Sequence, residues 1–211
     1  MKLPRLYPIL DTNTLALLSC SPETAAEAML AGGARILQFR HKGHYSREIF
    51  AAAERVAAAC ARYGALLIID DRADIANLLH AGVHVGQDDL SPQQARRLVG
   101  HSTIVGLSTH NADQLELAAA EPVDYLALGP IFATTTKKKP APVLGIAQLQ
   151  RARSLTTKPL VAIGGITRRN AIQVLEAGAD SVAIISDMLP AVASYESIRD
   201  RMREWQLLLK S

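Results

Sequence analysis

The stretch VLEAGADSVAII, residues 174–185, runs from the end of a helix through a glycine turn straight into a continuous apolar strand. Three other stretches repeat the plan: MLAGGARILQF (29–39), LLHAGVHVGQ (78–87) and AAAEPVDYLALG (118–129). With Gly32, Gly82, Pro122 and Gly178 as markers, the separations are 50, 40 and 56 residues, about two strand–helix units each. A glycine just past a helix end is the usual left-handed stop, so these turns predict helix ends that feed strands directly.

Outward from these turns, short apolar runs alternate with helical stretches along the whole chain. The strand-like runs are Leu6–Leu10, Ile36–Phe39, Leu66–Ile69, Val83–Val85, Ile104–Leu107, Tyr125–Leu128, Leu160–Ile163 and Ser181–Ile185. Between them lie alanine-rich segments such as Pro22–Leu30, Ser46–Tyr63, Pro92–Val99, Ala112–Ala120 and Asn170–Glu176. Strands that are apolar throughout, each followed by a helix, predict a parallel sheet covered by helices. An open doubly wound sheet would share this pattern. Eight units in 211 residues favour a closed (β/α)8 TIM barrel of the phosphate-binding type, which runs to about 200–250 residues. No Pro/Ser-rich linker or shift of composition divides the chain, so one domain over 1–211 is expected.

Composition narrows the class. A hydrophobic share of 49%, a charged share of 20% and an aromatic share of 4% suit packed helices and argue against a disordered or fibrous chain. The net charge of +3 is spread out except at Lys137–Lys139. It favours small anionic, phosphorylated ligands without implying nucleic acid. Cys20 and Cys60 are isolated and lack metal-ligand spacing, as expected of reduced thiols. The first residues, MKLPRLYPILDTNTL, lack a signal-peptide core, and no run reaches the roughly 18–20 apolar residues of a membrane span. A cytoplasmic protein with no membrane contact is expected; oligomeric state is not legible.

In a barrel of this kind the chemistry lies where strands end. The second strand ends ILQFRHKG, and Gln38 and Arg40 share a face at a period of two; Lys42 taken alone could be a solvated end. The third ends LLIIDDRAD. Asp70 or Asp71 could cap the following helix, leaving the other for a hard cation. Asp88 and Asp89 follow the fourth strand and precede Ser91-Pro92, where capping again competes. One or two carboxylates, completed by water and substrate phosphates, are the usual way to hold Mg²⁺. Ser108, Thr109 and His110 end the fifth strand. With no acid assignable to His110, a hydroxyl that caps a helix or touches phosphate fits better than a hydrolase triad. The stretch after the sixth strand, LGPIFATTTKKKPAPVLG, has the length and polarity of a binding loop. VAIGGIT and VAIISD end the last two strands, and a Gly-Gly turn with Ser186 nearby suits a phosphate.

Together these residues resemble the thiamine phosphate synthase family. Its pattern, Q-L-R-x-K, N-D-R, G-V-H-L-G-Q-x-D-L, S-T-H, G-P-I-F-x-T-x-T-K, A-I-G-G-I and V-S, is matched in order by QFRHK, DDR, GVHVGQDDL, STH, GPIFATTTK, AIGGI and IS, from about Tyr7 to Ser186. The resemblance implies a transferase of thiamine biosynthesis that displaces pyrophosphate from an aminopyrimidine methylene group with a thiazole nitrogen. It implies that Arg40, Lys42, Lys137 and Ser108 are catalytic. Gln38, Phe39, Arg40, His41, Lys42, Asp70, Ser108 and Lys137 would surround the pyrimidine diphosphate. Thr134, Thr135, Thr136, Gly165, Ile185 and Ser186 would hold the thiazole phosphate, and Asp71 and Asp89 would bind Mg²⁺. Asp70 stands where the pattern has Asn, Phe39 and Leu10 where it has Leu and Thr, and Ala133 where it has Pro. An ionised Asp70 beside a diphosphate would either repel it or recruit a cation, and a metal ion is expected there.

Two other readings compete. A thiazole tautomerase-like barrel would bind a thiazole phosphate without needing QFRHK or paired metal carboxylates. A non-catalytic paralogue would bind thiamine phosphate without turnover.

Overall fold

The computed structural model describes residues 2–134 and 141–210. The strands are β1 (Leu6–Asp11), β2 (Ile36–Arg40), β3 (Leu66–Asp70), β4 (Gly82–Val85), β5 (Val105–Thr109), β6 (Tyr125–Leu128), β7 (Leu160–Ile163) and β8 (Ser181–Ile184). They pair in parallel and in sequence order, and β8 returns to β1 through Leu6↔Val182 and Pro8↔Ile184. The sheet is closed, so the chain is a (β/α)8 TIM barrel and not an open doubly wound sheet.

The helices are α1 (Thr12–Leu17), α2 (Pro22–Ala31), α3 (Arg47–Tyr63), α4 (Ala73–Leu78), α5 (Pro92–Val99), α6 (Ala112–Ala119), α7 (Gly145–Arg153), α8 (Ala171–Glu176) and α9 (Tyr195–Leu208), with a 3₁₀ turn at Ser186–Met188. Ser21, Ser46, Ser91 and Asn111 accept from backbone N–H groups at the starts of α2, α3, α5 and α6, the usual work of such caps. None of the helices among the described residues is long and apolar enough to cross a membrane.

Strand parity sorts the side chains into two cores. Tyr7, Ile9, Ile36, Ile68, Tyr125, Ala127, Val161 and Ala183 fill the barrel, whereas neighbours such as Leu10, Leu37, Phe39, Ile69 and Val83 pack outward under the helices. The same parity carries Asp11, Gln38, Arg40, Asp70, His84 and Ser108 inward, towards the end where the strands stop. The barrel is thus greasy below and polar at its mouth.

The repeated turns have a physical basis beyond glycine. Asp124, in the turn before β6, accepts from Val105 N at 2.7 Å and Arg96 Nη2 at 2.7 Å. Asp180, before β8, likewise accepts from Leu160 N and Arg153 Nη1, both at 2.8 Å. Each carboxylate ties the start of the preceding strand to the helix before it. The expected left-handed stop holds at Gly178 (φ 106°) but not at Gly32 (φ −80°), whose neighbour Gly33 takes it instead (φ 105°). Gly82 is no stop either. It opens β4, where a Cβ would lie 2.4 Å from Ile68 Cδ1, and His80 carries that turn's positive φ of 50°.

Candidate active site

A cavity of about 770 Å³ opens at the C-terminal ends of the strands. Its cationic side is built from β2. Arg40 donates to Asp11, its register partner on β1, and its Nε lies 3.5 Å from Asp70 Oδ2. Asp11 is held in turn by Thr14, whose N and Oγ1 both donate to Asp11 Oδ1 at 2.8 Å. Lys42 reaches across to β3, 2.7 Å from Asp70 Oδ2 and also paired with Asp71. Burial works to lower the Lys42 pKa, but Asp70 and Asp71 outweigh it and hold the ammonium above its usual value. The cations beside Asp70 among the described residues are Lys42 and Arg40.

Neither acid of the Asp70–Asp71 pair caps α4. The cap position belongs to Arg72, which makes no side-chain cap bond, and Asp70 is buried against Arg40 and Lys42. Asp71 has a left-handed backbone (φ 62°). Burial, then the charges of Asp70 and Asp89, push its pKa up to about 6 against the pull of Lys42. Nor do Asp88 and Asp89 cap α5, since Ser91 does so in a capping box with Gln94. Asp89 instead accepts from Gly86 N at 2.8 Å, and both acids line the cavity.

Below this rim, Tyr7, Tyr125, His84 and Gln38 form the floor. Ser108 stands at the edge of this floor, its Oγ 2.8 Å from His84 Nε2. The Ser108 carbonyl accepts from Gln87 Nε2 at 2.6 Å. His110 places Nδ1 2.7 Å from the Gly129 carbonyl, which can only accept, so this ring is oriented by backbone and not by a triad acid.

The far side of the mouth belongs to β7 and β8. Gly164 and Gly165 both have positive φ, 99° and 62°, and a Cβ on Gly165 would sit 2.4 Å from the Ala133 carbonyl oxygen. Glycine there lets the β6 and β7 loops touch backbone to backbone. Asn170 pins the turn, accepting from Thr167 N at 2.8 Å and donating to the Gly165 carbonyl at 3.1 Å. Arg168 Nε, 3.1 Å from Asp187 Oδ2, ties this turn to the segment after β8. Gly165, Ile185, Ser186 and Thr134 all line the cavity.

The structure thus gathers Gln38, Arg40, Lys42, Asp70, Asp71, Asp89, Ser108, Thr134, Gly165, Ile185 and Ser186 at one mouth. Two expected residues are not brought into it. Phe39 has outward parity and is fully buried under the helices. His41 turns to Thr12 Oγ1, 2.8 Å from its Nδ1. Thr135, Thr136 and Lys137 lie outside the described residues. Sequence reasoning missed Asp11, Tyr7, His84 and Tyr125. Period two from Tyr7 through Ile9 to Asp11, and from His84 to Gly86, was the available signal.

The sequence model of a family described as thiamine monophosphate synthase matches residues 6–188. A thiamine-phosphate synthase of Koribacter versatilis is 49% identical over 197 residues, covering 90% of each chain. Another, of Chloroflexus aurantiacus, is 40% identical over 188 residues, covering 89% of this chain and 86% of the relative. Among solved structures, a thiamine phosphate pyrophosphorylase of Pyrococcus furiosus superposes with a TM-score of 0.79 at 30% identity, covering 97% of this chain and 96% of the other.

Proposed function

The chain belongs to the thiamine monophosphate synthase family, and from that membership we infer that it joins 4-amino-2-methyl-5-(diphosphooxymethyl)pyrimidine to a thiazole phosphate, releasing thiamine phosphate and pyrophosphate. The observation that carries the division of labour is the polarity of the mouth: Arg40 at the end of β2 with Lys42 just beyond it, and a glycine turn after β7 beside Ser186 after β8.

In this reading Arg40, Lys42 and Lys137 hold the diphosphate, and Ser108 donates to one of its oxygens. Gln38 and Asp70 stand around the same group. The methylene–oxygen bond breaks with its electron pair leaving on pyrophosphate, whose growing charge the three cations stabilise. The thiazole nitrogen then forms the carbon–nitrogen bond. Such a reaction needs neutralised charge and aligned partners more than covalent help. Thr134, Thr135, Thr136, Gly165, Ile185 and Ser186 would hold the thiazole phosphate in line.

The acids fit Mg²⁺, but only as part of a set. Among the described residues no group of three or more His, Cys, Asp or Glu could hold a metal by itself. The charge of Asp89 helps to raise the Asp71 carboxyl, and two carboxylates plus water and a substrate diphosphate make an ordinary Mg²⁺ shell. Bound there, Mg²⁺ would supply further neutralisation of the leaving group. The tautomerase-like reading leaves Arg40, Lys42 and these acids without a task. We take residues 1–211 as one domain, acting on small phosphorylated molecules in the cytoplasm.

Purified protein given both substrates and Mg²⁺ should yield thiamine phosphate. Binding of thiamine phosphate without turnover would make it the non-catalytic paralogue instead.

A further inference from the structure

Five side chains cross the barrel in a line of hydrogen bonds. Gln38 Nε2 lies 3.2 Å from Tyr7 Oη, which lies 2.9 Å from Tyr125 Oη. Tyr125 Oη is 2.9 Å from His84 Nδ1, and His84 Nε2 is 2.8 Å from Ser108 Oγ. Both tyrosines are buried, as are Gln38 and His84. Space for the Tyr125 ring comes from Gly106, where a Cβ would lie 2.1 Å from Tyr125 Cζ.

Donors and acceptors along this line are not independent. An amide nitrogen only donates, so Gln38 makes Tyr7 an acceptor. Burial raises the pKa of both phenols, so each keeps its O–H, and a buried O–H needs an acceptor. Tyr7 finds it in Tyr125, and Tyr125 then finds it in His84 Nδ1. That nitrogen must be bare, which puts the hydrogen of a neutral ring on Nε2, facing Ser108. The opposite sense would need Gln38 to present Oε1. It would also commit the Ser108 hydrogen to His84 and turn oxygen lone pairs towards an anion.

We propose that Gln38, Tyr7, Tyr125 and His84 form a one-way donor chain that locks His84 as the Nε2–H tautomer and so leaves the Ser108 hydroxyl hydrogen for the substrate's diphosphate. His84 and Tyr125 are positioning residues acting through Ser108. The last step rests on the assignment of Ser108 made under the proposed function; the tautomer does not.

The test is nitrogen NMR on the full chain labelled with ¹⁵N-histidine, with the His84 signals identified by their loss in His84→Gln. The wild type should show a protonated Nε2 and a bare Nδ1. Tyr7→Phe should leave this pattern in place, because Tyr125 still donates. Tyr125→Phe should move the Nδ1 signal and mix the tautomers. It should also raise the Michaelis constant for the pyrimidine diphosphate about tenfold, as loss of one charge-assisted hydrogen bond would, with that for the thiazole phosphate unchanged. A wild-type Nδ1–H tautomer or a doubly protonated ring overturns the chain. An Nε2–H tautomer with an unchanged Michaelis constant in Ser108→Ala keeps the chain and overturns the diphosphate assignment of Ser108.

Discussion

Asp11 and Arg40 are register partners on the neighbouring strands β1 and β2, and the guanidinium donates to the carboxylate at the strand ends. Asp11 is at once the cap of α1 and the anchor that aims Arg40. The two tasks separate by mutation. Asp11→Asn keeps a capping oxygen and loses the charge. It should lower kcat/KM for the pyrimidine diphosphate about tenfold, for roughly 1.5 kcal/mol of lost charge-assisted bonding, with a small change in Tm. Asp11→Ala should cost about a further 1 kcal/mol of stability from the lost cap. Steady-state kinetics and thermal melts of both variants check this, and equal kinetics in wild type and Asp11→Asn would refute the anchoring.

Asp70 pairs with Lys42 and Arg40, the two cations proposed above to hold the diphosphate. Asp70→Asn should therefore lower the Michaelis constant for the pyrimidine diphosphate several-fold. It should also lower the pKa of Asp71, since Asp70 is one of the charges that raise it. A raised Michaelis constant in this variant would show that Asp70 orders the cations more than it blocks them.

Asp71 also predicts a pH dependence. Its carboxyl is raised from 3.8 to about 6 in the fold, so between these values the folded chain holds a proton that the unfolded chain has lost. Stability from this group is greatest below about pH 4, declines as pH rises to about 6, and is level above that. Mg²⁺ needs the ionised form, so its affinity should strengthen across the same window. Calorimetry in two buffers of different ionisation enthalpy should find protons released on Mg²⁺ binding at pH 5.5 and almost none at pH 8. Equal release at both would remove Asp71 from the metal site.

Gly165 tests the other rim. Alanine there meets the Ala133 carbonyl at 2.4 Å in a left-handed backbone, so Gly165→Ala should raise the Michaelis constant for the thiazole phosphate at least tenfold by displacing the turn. Arg40→Ala should do the same for the pyrimidine diphosphate alone, losing about 1.5–3 kcal/mol. If each variant impaired the opposite substrate, the two rims would be assigned the wrong way round.

What was legible in the sequence follows from period and punctuation. The strands show because both faces are buried, and Gln38 with Arg40 shows because parity puts both inside. The starts of α4 and α7 are silent, because Arg72 and Leu144 at their caps make no side-chain cap bond. The helix α9 carried its signal in Ile198, Met202 and Trp205, one buried stripe behind the Ser194 cap, but it follows the last strand and was not among the segments expected. Asp11 was hidden by ending the first strand at Leu10. His84 and Tyr125 look like ordinary core residues in one dimension, since only closure of the barrel brings β4 and β6 to Tyr7 on β1.

The condensation itself is tested most directly by following phosphorus NMR while the wild-type chain is mixed with the pyrimidine diphosphate, the thiazole phosphate and Mg²⁺. The account predicts that the two diphosphate signals collapse to that of free pyrophosphate at the rate at which the thiazole phosphate signal becomes that of thiamine phosphate, with no change when either substrate is withheld. Unchanged signals with both substrates present, or pyrophosphate released without thiamine phosphate, would contradict it.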